Sequence, residues 1–159
     1  MLKLLPILFF AAVNISQISI FEIDGIFSNG HINAIQRYVD ENDLRESNLF
    51  VIQYNASDTS ENSVTELQEL LKDIKTPKAI WVGPNETIVD AGLLKSFDYV
   101  GISPGTTIIN KLSNNEFEFL DQEGIYEGYM VVGSIGAFIE NLGSCLLYTS
   151  DAADDVLCV

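Results

Sequence analysis

Two short runs of nearly continuous apolar residues, LFVIQY at residues 49–54 and AIWV at residues 79–82, constrain this chain more than any other feature. A strand with one solvated face alternates apolar and polar side chains. A run that is apolar throughout needs cover on both faces, which helices flanking a parallel sheet provide. Between the runs, Val64, Leu67, Leu71 and Ile74 recur at helical spacing, and Pro77 stops that helix by removing a donor and clashing with the preceding turn. Ser63-Val64-Thr65-Glu66 reads as a capping box that opens the helix after a loop over residues 55–62. Strand, helix and strand in this order make a βαβ unit.

The same pattern precedes and follows this unit. Residues 18–23 (ISIFEI) alternate as a strand stopped by Asp24-Gly25, and Ser28 or Asn29 caps a helix carrying Ile32, Ile35 and Val39 on one face. After 79–82 come a Gly83-Pro84 turn, a small-residue helix over 89–97 and a strand over 99–103 closed by Pro104-Gly105. Residues 116–119 alternate as an edge strand, and residues 130–132 are another apolar run. Ile135, Phe138, Ile139 and Leu142 space as a final helix ended by Gly143. The fold class is α/β, built from successive β-α-β units around a mainly parallel sheet, and 159 residues suffice for one domain with one core.

Charge narrows the partners. With 8 basic against 23 acidic residues the net charge is −15, which repels phosphate backbones and argues against a nucleic-acid partner. Residues 1–17 carry Lys3 followed by an apolar block too short to span a bilayer, the form of a signal-peptide core or an anchor, so the chain reads as exported or membrane-anchored and extracytoplasmic. The domain proper is expected over residues 18–143. Residues 144–159 change composition abruptly, hold both cysteines, Cys145 and Cys158, and resemble a translated sequencing-adaptor read-through, a non-native tail. Nothing suggests a disulfide framework, a thiolate metal site or a cofactor.

Four stretches carry a resemblance to a known family: KTPKAIWVGPNE, DAGLL, VGISPGTTI and GIYEGYMVVGSIGAFIENLG. Residues 18–143 resemble the extracytoplasmic domain of NfeD-like membrane proteins, relatives of the ClpP-class serine proteases with the ClpP/crotonase-like fold. The resemblance implies a Ser-Lys dyad in active relatives, with backbone amides of a Gly-Gly pair holding the oxyanion. It also aligns Asp90, before Ala91-Gly92, with the family's nucleophilic serine. A carboxylate there would form a labile anhydride with a peptide acyl group and repel the developing oxyanion. Asn55, Ala56, Ser57 and Asp58 fall where the family has its glycine-bearing oxyanion loop, and contain no glycine. The lysine-bearing region is shortened, which leaves Lys111 as a weak base candidate.

The resemblance therefore implies a catalytically silent protease-like domain, a binding or scaffolding module in membrane protein quality control or microdomain organisation. A membrane or membrane-protein partner is expected, and a homo-oligomer is compatible with it. The alternative is a membrane-bound serine endopeptidase using an unrecognised serine among Ser57, Ser96 and Ser103. His31, the single histidine, reads as a helix surface or cap residue and excludes a histidine-based triad within one chain. Asp58, Glu61, Asp90 and Asp98 form the one carboxylate set worth testing for calcium, without EF-hand spacing.

Overall fold

The computed structural model describes residues 17–42, 44, 47–83, 87–110, 116–120, 124–126 and 129–148. The signal-like segment up to residue 16, Pro84 of the expected turn, Lys111 and the tail beyond residue 148 lie outside the described residues.

The covered parallel sheet is present. Strands β1 (Ile18–Phe27), β2 (Leu49–Thr59), β3 (Lys78–Val82), β5 (Tyr99–Ile102) and β9 (Tyr129–Val131) pair in parallel in the order β1-β2-β3-β5-β9. Strand β8 (Gly124–Tyr126) adds an antiparallel edge beside β9. A second sheet of three strands has the order β4-β6-β7, from β4 (Ile88–Asp90), β6 (Thr106–Asn110) and β7 (Glu116–Leu120). The helices are α1 (Asn29–Glu41), α2 (Glu61–Asp73), the single turn α3 (Ala91–Leu94) and α4 (Ile135–Tyr148).

The apolar runs are covered on both faces because alternate side chains enter two clusters instead of the one expected core. Phe50, Ile52 and Tyr54 of β2, with Ile80 and Val82 of β3, pack with Ile35 of α1, Leu67 and Leu71 of α2, and Leu93 and Leu94 of α3. Leu49 and Val51, with Ala79 and Trp81, face the other way onto Phe138 and Leu142 of α4. The helical stripe read from α2 is buried in full: Val64, Leu67, Leu71 and Ile74 all lie in the first cluster.

Several boundaries differ from the sequence reading. Strand β1 does not stop at Asp24-Gly25. It continues to Phe27, with Gly25 at φ 74, a left-handed conformation that glycine adopts at no steric cost, and a register shift against β2 where Ser57 is the extra residue. The expected loop over 55–62 is strand as far as Thr59, because Asn55, Ala56, Asp58 and Thr59 all find partners on the prolonged β1. Helix α2 consequently opens earlier, with Ser60 as N-cap, and the proposed capping box at Ser63 is displaced: Ser63 is wholly buried inside the first turn and its hydroxyl donates to Asn29 of α1.

The expected helix over 89–97 is a strand, one helical turn and a bend. Ile88 and Val89 are β-branched and pair with Thr107 and Ile108 of β6, a strand the sequence reading lacked. The last helix runs through Gly143 to Tyr148 instead of ending there, since Gly143 does not adopt the left-handed conformation a stop requires. The edge strand at 116–119 is found as β7, antiparallel to β6. No helix among the described residues is long and apolar enough to cross a membrane.

The Ser60 side chain accepts the Ser63 N–H and its hydroxyl meets that of Ser63 at 2.7 Å. Ser60→Ala is expected to lower the unfolding free energy by about 1 kcal/mol, read as a shift in the urea midpoint at unchanged slope.

Candidate functional site

The carboxyl ends of parallel strands are where α/β sheets gather functional groups, and here that edge brings together β2, β4 and the start of α3. Val89 is wholly buried and shares the first cluster with Ala56 of β2, so β4 is fixed beside the end of β2. The chain then turns at Asp90, in extended conformation at φ −80 and ψ 128, into α3. Leu93 and Leu94 bury that turn from below, and Gln68 Nε2 of α2 donates to the Gly92 carbonyl oxygen at 3.0 Å. The junction is held from three sides.

Asp90, half-buried, is the N-cap of α3: its Oδ1 accepts the Gly92 N–H at 2.7 Å. Aspartate is among the best capping residues because its side chain satisfies a donor the helix itself leaves open. The carboxylate is thus folded back onto the helix it caps.

Asn55, Ala56, Ser57 and Asp58 stand close to this junction but as strand, which corrects the expected loop. Asn55 Nδ2 donates to Glu22 Oε1 at 2.9 Å, Ala56 is in the core, and the exposed Asp58 accepts the Thr59 N–H at 2.7 Å. Ser57 is also exposed, with its hydroxyl 3.5 Å from the Gly25 carbonyl oxygen. In extended chain, successive N–H groups point to opposite strand edges. The one irregularity here is the extra residue Ser57, and the segment contains no turn of the glycine-bearing kind that the resemblance implies.

Tyr54 is the residue of this region that the sequence reading missed. Its ring is wholly buried and packs edge-on against Phe27 at 5.9 Å, while its hydroxyl meets Thr59 Oγ1. Burial pushes the phenol up to about 12; the nearby Asp58 and Asp90 carboxylates push the same way, and the hydrogen bond from Thr59 opposes them. The signal for it was the alternation of Phe50, Ile52 and Tyr54, which puts an aromatic hydroxyl on the helix-covered face at the carboxyl end of β2.

The remaining candidates scatter. Ser103 is buried at the end of β5 with its N–H donating to Val82, and Ser96 sits in the bend after α3 with its N–H donating to Leu93. Asp98 is at the amino end of the sheet, where its Oδ2 accepts the Lys78 N–H at 2.7 Å, so it is remote from Asp58 and Asp90 along the strands. No three His, Cys, Asp or Glu side chains among the described residues are grouped to hold a metal ion. His31 is a cap residue: its Nδ1 accepts the Ser28 N–H at the start of α1.

No protein-family model and no curated protein matches the chain. Among solved structures it is similar to the 1510-N membrane protease specific for a stomatin homolog from Pyrococcus horikoshii, with 15% identity and a TM-score of 0.52 over 62% of this chain and 51% of that one. A serine-to-alanine mutant of the 1510-N membrane-bound stomatin-specific protease matches with 14% identity and a TM-score of 0.52 over 84% of this chain and 62% of that one. A lysine-to-alanine mutant of the same protease, in complex with a substrate peptide, matches with 14% identity and a TM-score of 0.52 over 80% of this chain and 57% of that one. The chain spans between 51% and 62% of the length of these proteins. At this identity the likeness is one of fold, and the fold is the ClpP-like one that the four sequence stretches implied.

Proposed function

We propose that this chain is a catalytically silent ClpP-like domain of the NfeD type, exported or membrane-anchored, that serves as a binding or scaffolding module for a membrane-protein partner. The single observation that carries this reading is the geometry at Asp90. At the position where the resemblance implies a serine nucleophile, the side chain is an aspartate whose Oδ1 is engaged in capping α3. A serine nucleophile works by releasing its proton to a base while amide donors hold the oxyanion; a carboxylate has no proton to release at neutral pH and repels the charge that develops. The Asn55–Asp58 segment supports the same reading, since it is paired as strand and holds no glycine. A fold retained without its reactive groups leaves its surfaces as the means of action.

The neighbours named above are membrane proteases acting on a stomatin homolog, and a membrane protein is by analogy the class of partner proposed here. Incubating the full chain with apolar peptides is expected to give no turnover above buffer. Turnover abolished by alanine at Ser57, Ser96 or Ser103 would instead establish an endopeptidase that uses an unrecognised serine.

A further inference from the structure

Strand β1 is an outer edge of the large sheet: among the described residues it pairs on one side only, with β2. The outward row of N–H and C=O groups on such an edge is a template for another extended chain, and proteins commonly blunt it with short length, charged side chains, proline or a bulge. β1 runs for ten residues, ISIFEIDGIF, without proline or lysine; its two charges are both acidic, which blunts the edge against acidic chains only, and its irregularity at Gly25 lies near its end. The large hydrophobic side chains exposed among the described residues, Ile20 at 43% and Ile26 at 65%, both belong to this strand.

Alternation puts Ile20, Glu22, Asp24 and Ile26 on one face, because Phe21, Ile23 and Phe27 turn to the opposite one. The cluster under α4 reaches β1 only at Ile18, and all four residues beyond it on that face are exposed. Charge then selects the occupant. Glu22 Oε1 accepts from Gln53 and Asn55, and Asp24 Oδ1 accepts the Gly25 N–H, bonds that orient both carboxylates without neutralising them. Neither has an ion-pair partner among the described residues. A second copy, with the same net charge of −15, would bring acid against acid.

We propose that the β1 edge docks an extended basic peptide, which adds a strand to the sheet. Every second residue of that peptide lies over the exposed face, in the order apolar, basic, basic, apolar: apolar side chains over Ile20 and Ile26, lysine or arginine over Glu22 and Asp24. This deepens the reading of the domain as a binding module and rests on that part alone, not on the absence of catalysis.

The test is fluorescence anisotropy of a labelled heptapeptide, valine at each end, lysine at its third and fifth positions and threonine elsewhere, titrated with the full chain at low salt. Saturable binding is expected. The double variant Glu22→Gln/Asp24→Asn, which keeps size and hydrogen bonding, should weaken it on the order of tenfold, and Ile20→Thr/Ile26→Thr should weaken it as well. Coincident thermal melts would establish that these exposed substitutions leave the fold intact. Absence of saturable binding, equal binding of a peptide with glutamates for lysines, or an unchanged affinity for the double variant would overturn the proposal. A dimer in sedimentation that Ile20→Thr/Ile26→Thr dissociates, with no peptide bound, would assign the edge to a second copy and overturn it too. Cleavage of the bound peptide would contradict the silent reading while leaving the docking site standing.

Discussion

Truncating Phe138 to alanine is expected to cost about 3–5 kcal/mol of unfolding free energy. Phe138 is wholly buried, and its ring is the wedge between α4 and the sheet. It lies directly on Gly101 of β5: a methyl group built there would stand 2.5 Å from Phe138 Cδ2 and 2.7 Å from Cε2. The strand therefore has no side chain at this point that could relax into the vacated space, and the cavity would stay open. Since a domain of this size commonly holds only about 5–15 kcal/mol in total, the loss is a large fraction of its stability. Trp81, in the same cluster with Nε1 donating to the Val132 carbonyl oxygen at 3.4 Å, is the single tryptophan and reports the transition directly. A urea midpoint within error of the wild type would refute the wedge role. The reverse change, Gly101→Ala, should cost about 1–3 kcal/mol by overpacking the same contact.

The second large effect is alkaline. In the unfolded chain a tyrosine phenol ionises near 10, whereas Tyr54 in the folded chain holds its proton to about 12. Between those values the folded state binds one more proton than the unfolded state, so stability falls as pH rises. The contribution is fully present below pH 10 and lost through pH 12, and two pH units correspond to roughly 3 kcal/mol. Tyr54→Phe removes this dependence together with the hydrogen bond to Thr59. The variant should start somewhat less stable at pH 8 and decline less steeply between pH 10 and 12, as followed by denaturant midpoints. Every other titrating group is common to the two proteins, so the difference between the two profiles isolates Tyr54. Parallel profiles would show that the phenol is not shielded.

What was legible in the sequence was whatever depends on local periodicity. The runs at residues 49–54 and 79–82 gave away a doubly covered parallel sheet, and Ile32 with Ile35, or Leu67 with Leu71, marked the inner faces of α1 and α2. The misread strands share one physical origin, pairing between residues distant in sequence. Asn55, Ser57, Asp58 and Thr59 are polar enough to read as loop, and the strand extends through them because Asp24 meets Asn55 and, past Gly25, Ile26 and Phe27 meet Asp58 and Thr59. Strand β4 is three residues long and exists through its pairing with β6 nineteen residues on, information that no local window contains. At the site, the resemblance singled out Asp90 from the Ala91-Gly92 that follows it. Its role as a cap of α3 is a local property that an aspartate before small residues could have indicated. Tyr54 was hidden because a buried aromatic at the end of an apolar run is ordinarily packing, and its perturbation arises first from burial under helices distant in sequence, with Asp58 and Asp90 adding to it.

The central claim, a protease-like fold without protease chemistry, is tested most directly by fluorophosphonate labelling of the full chain and of Asp90→Ser, read by mass spectrometry. Serine also caps helices, so the variant keeps α3 while supplying the hydroxyl. No stoichiometric adduct is expected on either protein, because residues 55–58 lack the glycine-bearing loop that the resemblance implies for the oxyanion, whatever stands at position 90. A stoichiometric adduct on a serine of the wild-type chain would contradict it, and one confined to Asp90→Ser would show that the rest of the catalytic apparatus had been retained.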